Sequence, residues 1–316
     1  MKTGELEPAS PETLDFEAVL RRAPLLDVIE AMRGASVGAI EAPPRTHLSI
    51  RVQGEPDATL LVMPGWRPGD RIGIKIANVF PGNGERGMPS VNAHYVVFSG
   101  LTGRLEATLD GRALTLLRTA ATSALAADLL APRNARRLLL VGTGDLAPFM
   151  ARAHGLVRSL SISVWGRDYT KACALASKLA QVGLDVEPTR NLEAAVRQAD
   201  IITCATLSSE PLVRGDWLKP GAHLDLVGGF RPDMRETDDE AIRRSLVVVD
   251  TINAVNESGD LSDPVRAGIL NPDRVLTLRQ LLEGAGPTGG HQNTLFKSVG
   301  SAQADLIAAE VALQRR

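Results

Sequence analysis

The stretch Val141-Gly142-Thr143-Gly144-Asp145-Leu146-Ala147 closes an apolar run and sets two glycines and a third small residue at the spacing G-x-G-x-x-A. A first glycine permits a tight turn out of a strand, and a second lets a pyrophosphate approach the backbone. A small third residue keeps the following helix close to the strand. The first turn of that helix offers unpaired N–H groups and a partial positive charge to phosphates. The next apolar run ends in Trp165-Gly166-Arg167-Asp168. Sites for NAD usually place an acid here, on the ribose 2′-OH. In this chain Gly166 leaves room and Arg167 can fork onto a 2′-phosphate. The pattern favours NADPH. Asp168, one residue late for the acid, keeps NADH open as the weaker alternative.

Two groups of elements must hold these loops. Thr46 to Val52, Ala58 to Met63, Ile72 to Val79, His94 to Phe98 and Arg104 to Leu109 are short β-branched and apolar runs between Gly, Pro and Asp. They predict a mainly antiparallel sheet, with a turn at Asp110-Gly111. From Leu114 the spacing becomes helical until Pro132 stops it. Beyond that point strands and helices alternate: Arg137 to Val141, Leu160 to Trp165, Leu184 to Val186, Ile201 to Cys204, His223 to Val227 and Leu246 to Val249 are the strands. Such alternation predicts a parallel sheet with crossover helices. The expected class is α/β. A Rossmann domain is expected over 125–299, and an α+β substrate-binding and dimerisation domain over 1–124, with a last helix (300–316) packed back on it.

Composition narrows the partners. The 316 residues suggest about two domains. Net charge is −2 and aromatic residues make up 3%, which argues against nucleic acid both as a field and as a stacking surface. No uninterrupted apolar run approaches the ~20 residues of a membrane span. Met1 to Thr13 carries charges and prolines and reads as a loose arm, not a signal. With only Cys173 and Cys204, a reduced cytoplasmic setting is expected. The histidines (His47, His94, His154, His223, His291) are scattered, so no metal site is expected, and no G-x-S-x-G elbow occurs.

Longer segments carry a resemblance. From about Arg45 onward the chain resembles the ornithine cyclodeaminase/μ-crystallin family. The stretches that do so are Gly73 to Asn83, Leu117 to Ala121, Gly228 to Glu236, Glu257 to Leu261 and Leu295 to Gly300. The resemblance implies a homodimer through the N-terminal sheet and an active site between that sheet and the Rossmann domain. It implies that Arg45 binds a substrate carboxylate, that Lys75 stands beside the reacting carbon and nitrogen, and that Arg118 faces cofactor and substrate. Ser90, Thr143, Asp145, Leu146, Arg167, Thr206 and Val227 fall on dinucleotide-lining positions, with Thr119, Leu207 and Gly228 beside them. From the strand pattern alone, Lys75 points away from Ile74 and Ile76, and that face is either solvent or cleft.

One position departs from the deaminase pattern. Cyclodeaminases of the family carry an aspartate after paired glycines, where it moves protons during ammonia loss. Here Gly228-Gly229 is followed by Phe230, which cannot carry a proton, and Asp233 lies three residues on. The expected reaction is therefore NADPH-dependent reduction of a cyclic ketimine carboxylate, Δ1-pyrroline-2-carboxylate or Δ1-piperideine-2-carboxylate, to proline or pipecolate. The alternatives are an alanine dehydrogenase-type enzyme, an ornithine cyclodeaminase, or a protein that binds NADPH and a small ligand as μ-crystallin does.

Overall fold

The computed structural model describes residues 10–35, 40–285 and 293–314. Six strands build the first sheet: β1 (Glu12–Leu14), β2 (Thr46–Ile50), β3 (Ala58–Trp66), β4 (Arg71–Val79), β5 (Val91–Ser99) and β6 (Leu105–Asp110). Their order is β1-β6-β5-β4-β3-β2, antiparallel except for β1 against β6. The end of the expected N-terminal arm, Glu12 and Thr13, is thus an edge strand. Helices α1 (Phe16–Arg22) and α2 (Leu25–Gly34) follow it.

Helix α3 (Gly111–Leu130) begins directly after β6. Asp110-Gly111 is not a free turn, because the Asp110 side chain accepts from Ala113 N at 2.8 Å and caps the helix. The helix runs unbroken through the expected division at 124/125, and its first sixteen residues are nearly all buried. By length and composition it could cross a membrane, yet 78% of its apolar window is covered by protein, as in a core helix. It packs on the first sheet at its start and on the second domain further along.

The second sheet is wholly parallel. Its strands are β7 (Arg137–Val141), β8 (Ser161–Trp165), β9 (Asp185–Pro188), β10 (Ile201–Cys204), β11 (His223–Leu226), β12 (Ser245–Val249), β13 (Leu276–Thr277) and β14 (Asn293–Lys297). Crossovers include α4 (Ala147–Val157), α5 (Tyr169–Gln181), α6 (Leu192–Gln198), α7 (Asp239–Arg243), α8 (Ala254–Glu257), α9 (Gly259–Arg266) and α10 (Leu278–Leu282). The order is β13-β12-β14-β11-β10-β7-β8-β9. After β7 the chain builds outward through β8 and β9, then returns to the other side with β10. This is the topological switch point at which open α/β sheets form a ligand crevice. The strand β14, which the sequence pattern did not single out, inserts between β11 and β12. The last helix, α11 (Ala302–Gln314), packs on α3 and on β3 and β4.

Candidate active site

Every expected dinucleotide position on the second domain lies at the carboxyl end of one of four adjacent strands. Gly142 to Leu146 join β7 to α4, and Gly166 to Asp168 join β8 to α5. Thr206 and Leu207 follow β10, and Val227 and Gly228 follow β11. Gly142 has φ +121°, and a Cβ there would stand 2.5 Å from the Ala205 carbonyl oxygen, so this turn requires glycine. Gly144 faces open space, and α4 has no side-chain cap on its first turn. Within its first turn Ala147 N and Phe149 N donate to the Gly144 and Leu146 carbonyls and Pro148 has no N–H. The N–H groups left to meet phosphate are therefore those of the preceding loop, Thr143 to Leu146. These features fit a dinucleotide. Gly166 is pressed against the loop, since a Cβ would meet Thr143 Cγ2 at 2.7 Å. Asp168 is turned the other way: its Oδ1 accepts from Thr170 N (2.9 Å) and Lys171 N (3.4 Å), capping α5. Asp145 pairs with Arg112 of α3, which ties the glycine loop to the first domain. Ser90 immediately precedes β5, at the sheet end where α3 begins.

The expected catalytic residues meet in the cleft between the domains. Lys75, on the buried face of β4, is 3% exposed. That settles which way it points. Its Nζ donates to Asp305 Oδ1 at 3.0 Å and to Thr115 Oγ1 at 3.2 Å. The same Asp305 oxygen accepts from Arg118 Nε at 2.9 Å. Thr115 is held in turn by donating to the Gly111 carbonyl at 2.7 Å. Burial and the Arg118 guanidinium push the Lys75 ammonium down to about 8, while Asp305 pulls it up. Burial works to raise Asp305, but Lys75 and Arg118 outweigh it and hold the carboxyl below its usual range. Thr119, next to Arg118, is buried in the same helix.

Arg45 enters from the loop before β2. It shares a recess with Met63, the register partner of Lys75, and with Gly300, beside the Arg118 guanidinium. Glu257 grips it through Nε (3.1 Å) and one terminal nitrogen, and the other terminal nitrogen donates to the Val299 carbonyl at 3.1 Å. These bonds use three of five N–H donors. One remains on each terminal nitrogen for a substrate carboxylate.

Residue types and spacing did not mark Asp305, Thr115 or Glu257 as site residues. For Asp305 a signal existed: it is one of two acids, with Glu310, in a largely apolar helix, and it is the fully buried one. A second buried group also went unmarked. Glu236 Oε1 accepts from Thr206 N and Oγ1 (2.8 Å each), and its Oε2 accepts from Gly228 N (2.9 Å) and Gly229 N (3.3 Å). Asp260 accepts from Glu236 N and Thr237 N, and from Lys297 Nζ at 2.8 Å. Thus the acids beneath the paired glycines are locked by backbone. Asp233 is held by Arg231 at the surface. Phe230 is half-buried, and no acid takes its place.

The fold and these loops define a two-domain protein with a Rossmann dinucleotide crevice and a cationic cleft beside it. The chain belongs to the ornithine cyclodeaminase/mu-crystallin family, which it matches over residues 13–315. It is 34% identical over 310 residues to the Δ1-pyrroline-2-carboxylate reductase of Paracoccus denitrificans, covering 95% of this chain and 96% of that one. It is 33% identical over 281 residues to the ketimine reductase mu-crystallin of Mus musculus, covering 87% and 85%. The solved Thermococcus litoralis Δ1-pyrroline-2-carboxylate reductase, in complex with NADH and L-proline, superposes with a TM-score of 0.88 at 28% identity, covering 96% of each chain.

Proposed function

We propose that this protein reduces a cyclic ketimine carboxylate with NADPH, taking Δ1-pyrroline-2-carboxylate to L-proline or Δ1-piperideine-2-carboxylate to L-pipecolate. The observation that carries the reading is the buried Lys75–Asp305–Arg118 group beside the Arg45 recess, with phenylalanine at position 230. The reductases among its relatives support the reaction class, and Arg167 with the turned Asp168 supports the phosphorylated cofactor.

The bound reduced nicotinamide supplies a hydride to the imine carbon. The chain's own residues do the rest. Arg45 holds the carboxylate through its two remaining N–H donors. Lys75 has three N–H donors and spends two on Asp305 and Thr115, which leaves one for the ring nitrogen. As hydride arrives at the carbon of the neutral imine, the C=N π pair moves onto nitrogen and the hydrogen-bonded Lys75 proton passes to it. That proton becomes the N–H of the product and leaves Lys75 as the amine, to be reprotonated from solvent. Asp305 keeps Lys75 charged in a buried place, and Arg118 balances Asp305. Release of ammonia would need an acid free to activate water; among the described residues the acids placed here, Asp305 and Glu257, are already paired with Lys75, Arg118 and Arg45.

The outer face of the first sheet supports a homodimer. Leu60, Val62, Ile72, Ile74, Ile76 and Val96 alternate with the buried residues and lie half-exposed or exposed on one surface. An apolar patch of this kind normally meets a partner. On this reading the partner subunit would cover this sheet face. Sedimentation at micromolar concentration should give a dimer, and a monomer would overturn this arrangement.

The test of the reaction is a substrate panel. Net NADPH consumption is expected with the two cyclic imines, with stoichiometric imino acid as product. Ammonia release from ornithine without net NADPH use would replace the reading with a cyclodeaminase. Tight NADPH binding with no turnover of either imine would leave a binding protein.

A further inference from the structure

Arg167, in the loop after β8, is the sequence's candidate for a cofactor 2′-phosphate. The neighbouring edge strand supplies a second cation to the same corner. In the parallel ladder Val164 pairs with Pro188, and Thr189 N continues it by donating to the Val164 carbonyl at 2.9 Å. Two residues beyond each member of that pair stand Gly166 and Arg190. The register therefore sets Arg190 level with Gly166, about one strand spacing (~4.8 Å) outward. Its guanidinium is stacked on the Tyr169 ring, 3.6 Å from the centroid. Tyr169 is the first residue of α5, two positions after Arg167. The stack holds an otherwise exposed arginine over the start of that helix. Many surface arginines in this chain are spent on acids one helical turn away, among them Arg197 on Glu193 and Arg279 on Glu283. Among the described residues neither Arg167 nor Arg190 forms an ion pair with a carboxylate. The one acid at this corner, Asp168, is occupied with helix N–H groups.

We infer that Arg190 is the second arm of a 2′-phosphate site, closing on the phosphate from the β9 side while Arg167 closes from the α5 side. The inference rests on the NADPH reading above and names the residue that adds to its selectivity. A dianionic phosphate beyond the ribose meets a guanidinium on each flank, and each can form charge-assisted hydrogen bonds to its oxygens. NADH, with a hydroxyl there, offers no charge to either. Tyr169 acts as a positioning residue: it presents Arg190 and does not itself touch the phosphate.

The experiment measures dissociation constants for NADPH and NADH by nucleotide fluorescence, in wild type and in the Arg167→Ala, Arg190→Ala and Arg190→Lys variants. Adenosine 2′,5′-bisphosphate and adenosine 5′-monophosphate serve as competing probes. Arg190→Ala is expected to weaken NADPH and the bisphosphate about tenfold and to leave NADH and the monophosphate nearly unchanged. Arg190→Lys should recover part of the loss, since charge returns without the fork. If wild type and Arg167→Ala confirm the NADPH preference but Arg190→Ala weakens both nucleotides equally or neither, Arg190 has no such role and the NADPH reading stands. If wild type binds NADH more tightly, the 2′-phosphate site and the cofactor reading fall together.

Discussion

Two buried ionic groups flank the cleft, and they are built on opposite plans. Around Asp305 one carboxylate serves two cations, Lys75 and Arg118, and the contacts found for it are side chain to side chain. Around Lys297 one cation serves two carboxylates, Asp260 and Glu236, and backbone N–H groups fill the carboxylate oxygens. The first group keeps a donor in reserve and carries a surplus positive charge toward an anionic substrate. The second has little left to offer. It ties the segments after β10 and β11 to each other, because each oxygen of Glu236 holds one of them. Burial raises Glu236 to about 7, with Lys297 working against the rise and Asp260 with it. Side chains alone can exchange partners during a reaction, whereas a carboxylate clamped by backbone sets the shape of a crevice.

The largest expected break in this contrast is at Lys75. Lys75→Ala should lower kcat by a factor on the order of 10²–10³. Asp305 stays paired with Arg118, so the fold and the NADPH dissociation constant should stay near wild type. Arg45→Ala is the companion and should act mainly through KM, because it removes a carboxylate contact present before and during hydride transfer. Near-wild-type kcat in Lys75→Ala would end the proposed role of the ammonium.

The frame group should fail in the reverse manner. Glu236→Gln turns an acceptor into a donor facing Gly228 and Gly229, at a cost of about 2–3 kcal/mol in stability for hydrogen bonds to a charged group. The nucleotide should bind more weakly, while kcat at saturating cofactor should change far less than in Lys75→Ala. A variant with normal melting temperature and normal nucleotide affinity, but little turnover, would place Glu236 in the chemistry instead.

The contrast also marks what could be read from residues alone. The crevice was legible because its parts are local: a strand, a glycine turn and a helix start lie within a dozen or so residues, and the strand–helix alternation fixes where such turns gather. Lys75 and Arg118 came from family likeness, and alternation along β4 left open whether Lys75 faced solvent. Its direction depended on Asp305, 230 residues away on the last helix. The same holds for β14. Lys297 interrupts its apolar pattern, and Asp260 and Glu236, both distant in the chain, explain a lysine in a central strand. Asp110 and Asp168 show a subtler loss, for the sequence allows a turn or a ribose contact where the backbone uses each as a helix cap.

The smallest expected effect is a matter of pH, and it sharpens the comparison without removing any residue. If Lys75 acts as an ammonium, kcat should fall as pH rises through about 8, where the folded protein releases that proton. The effect on stability has the opposite sign. An unfolded chain holds a lysine proton up to about 10.5, so between about 8 and 10.5 the unfolded state binds more protons, and the Lys75 share of stability rises with pH. Comparing wild type with Lys75→Met isolates this share from other groups, such as Tyr95, whose hydroxyl burial pushes well up. The melting temperature of wild type should gain on that of Lys75→Met from pH 8 to 10, over the range in which wild-type turnover declines. Asp305→Asn then supplies direction: with the carboxylate charge gone, the basic limb should move below 8, since burial and Arg118 act unopposed by it. A limb that stays in place in Asp305→Asn, or a melting difference flat across this window, would show that another group titrates there and that Lys75 is not the ammonium the mechanism needs.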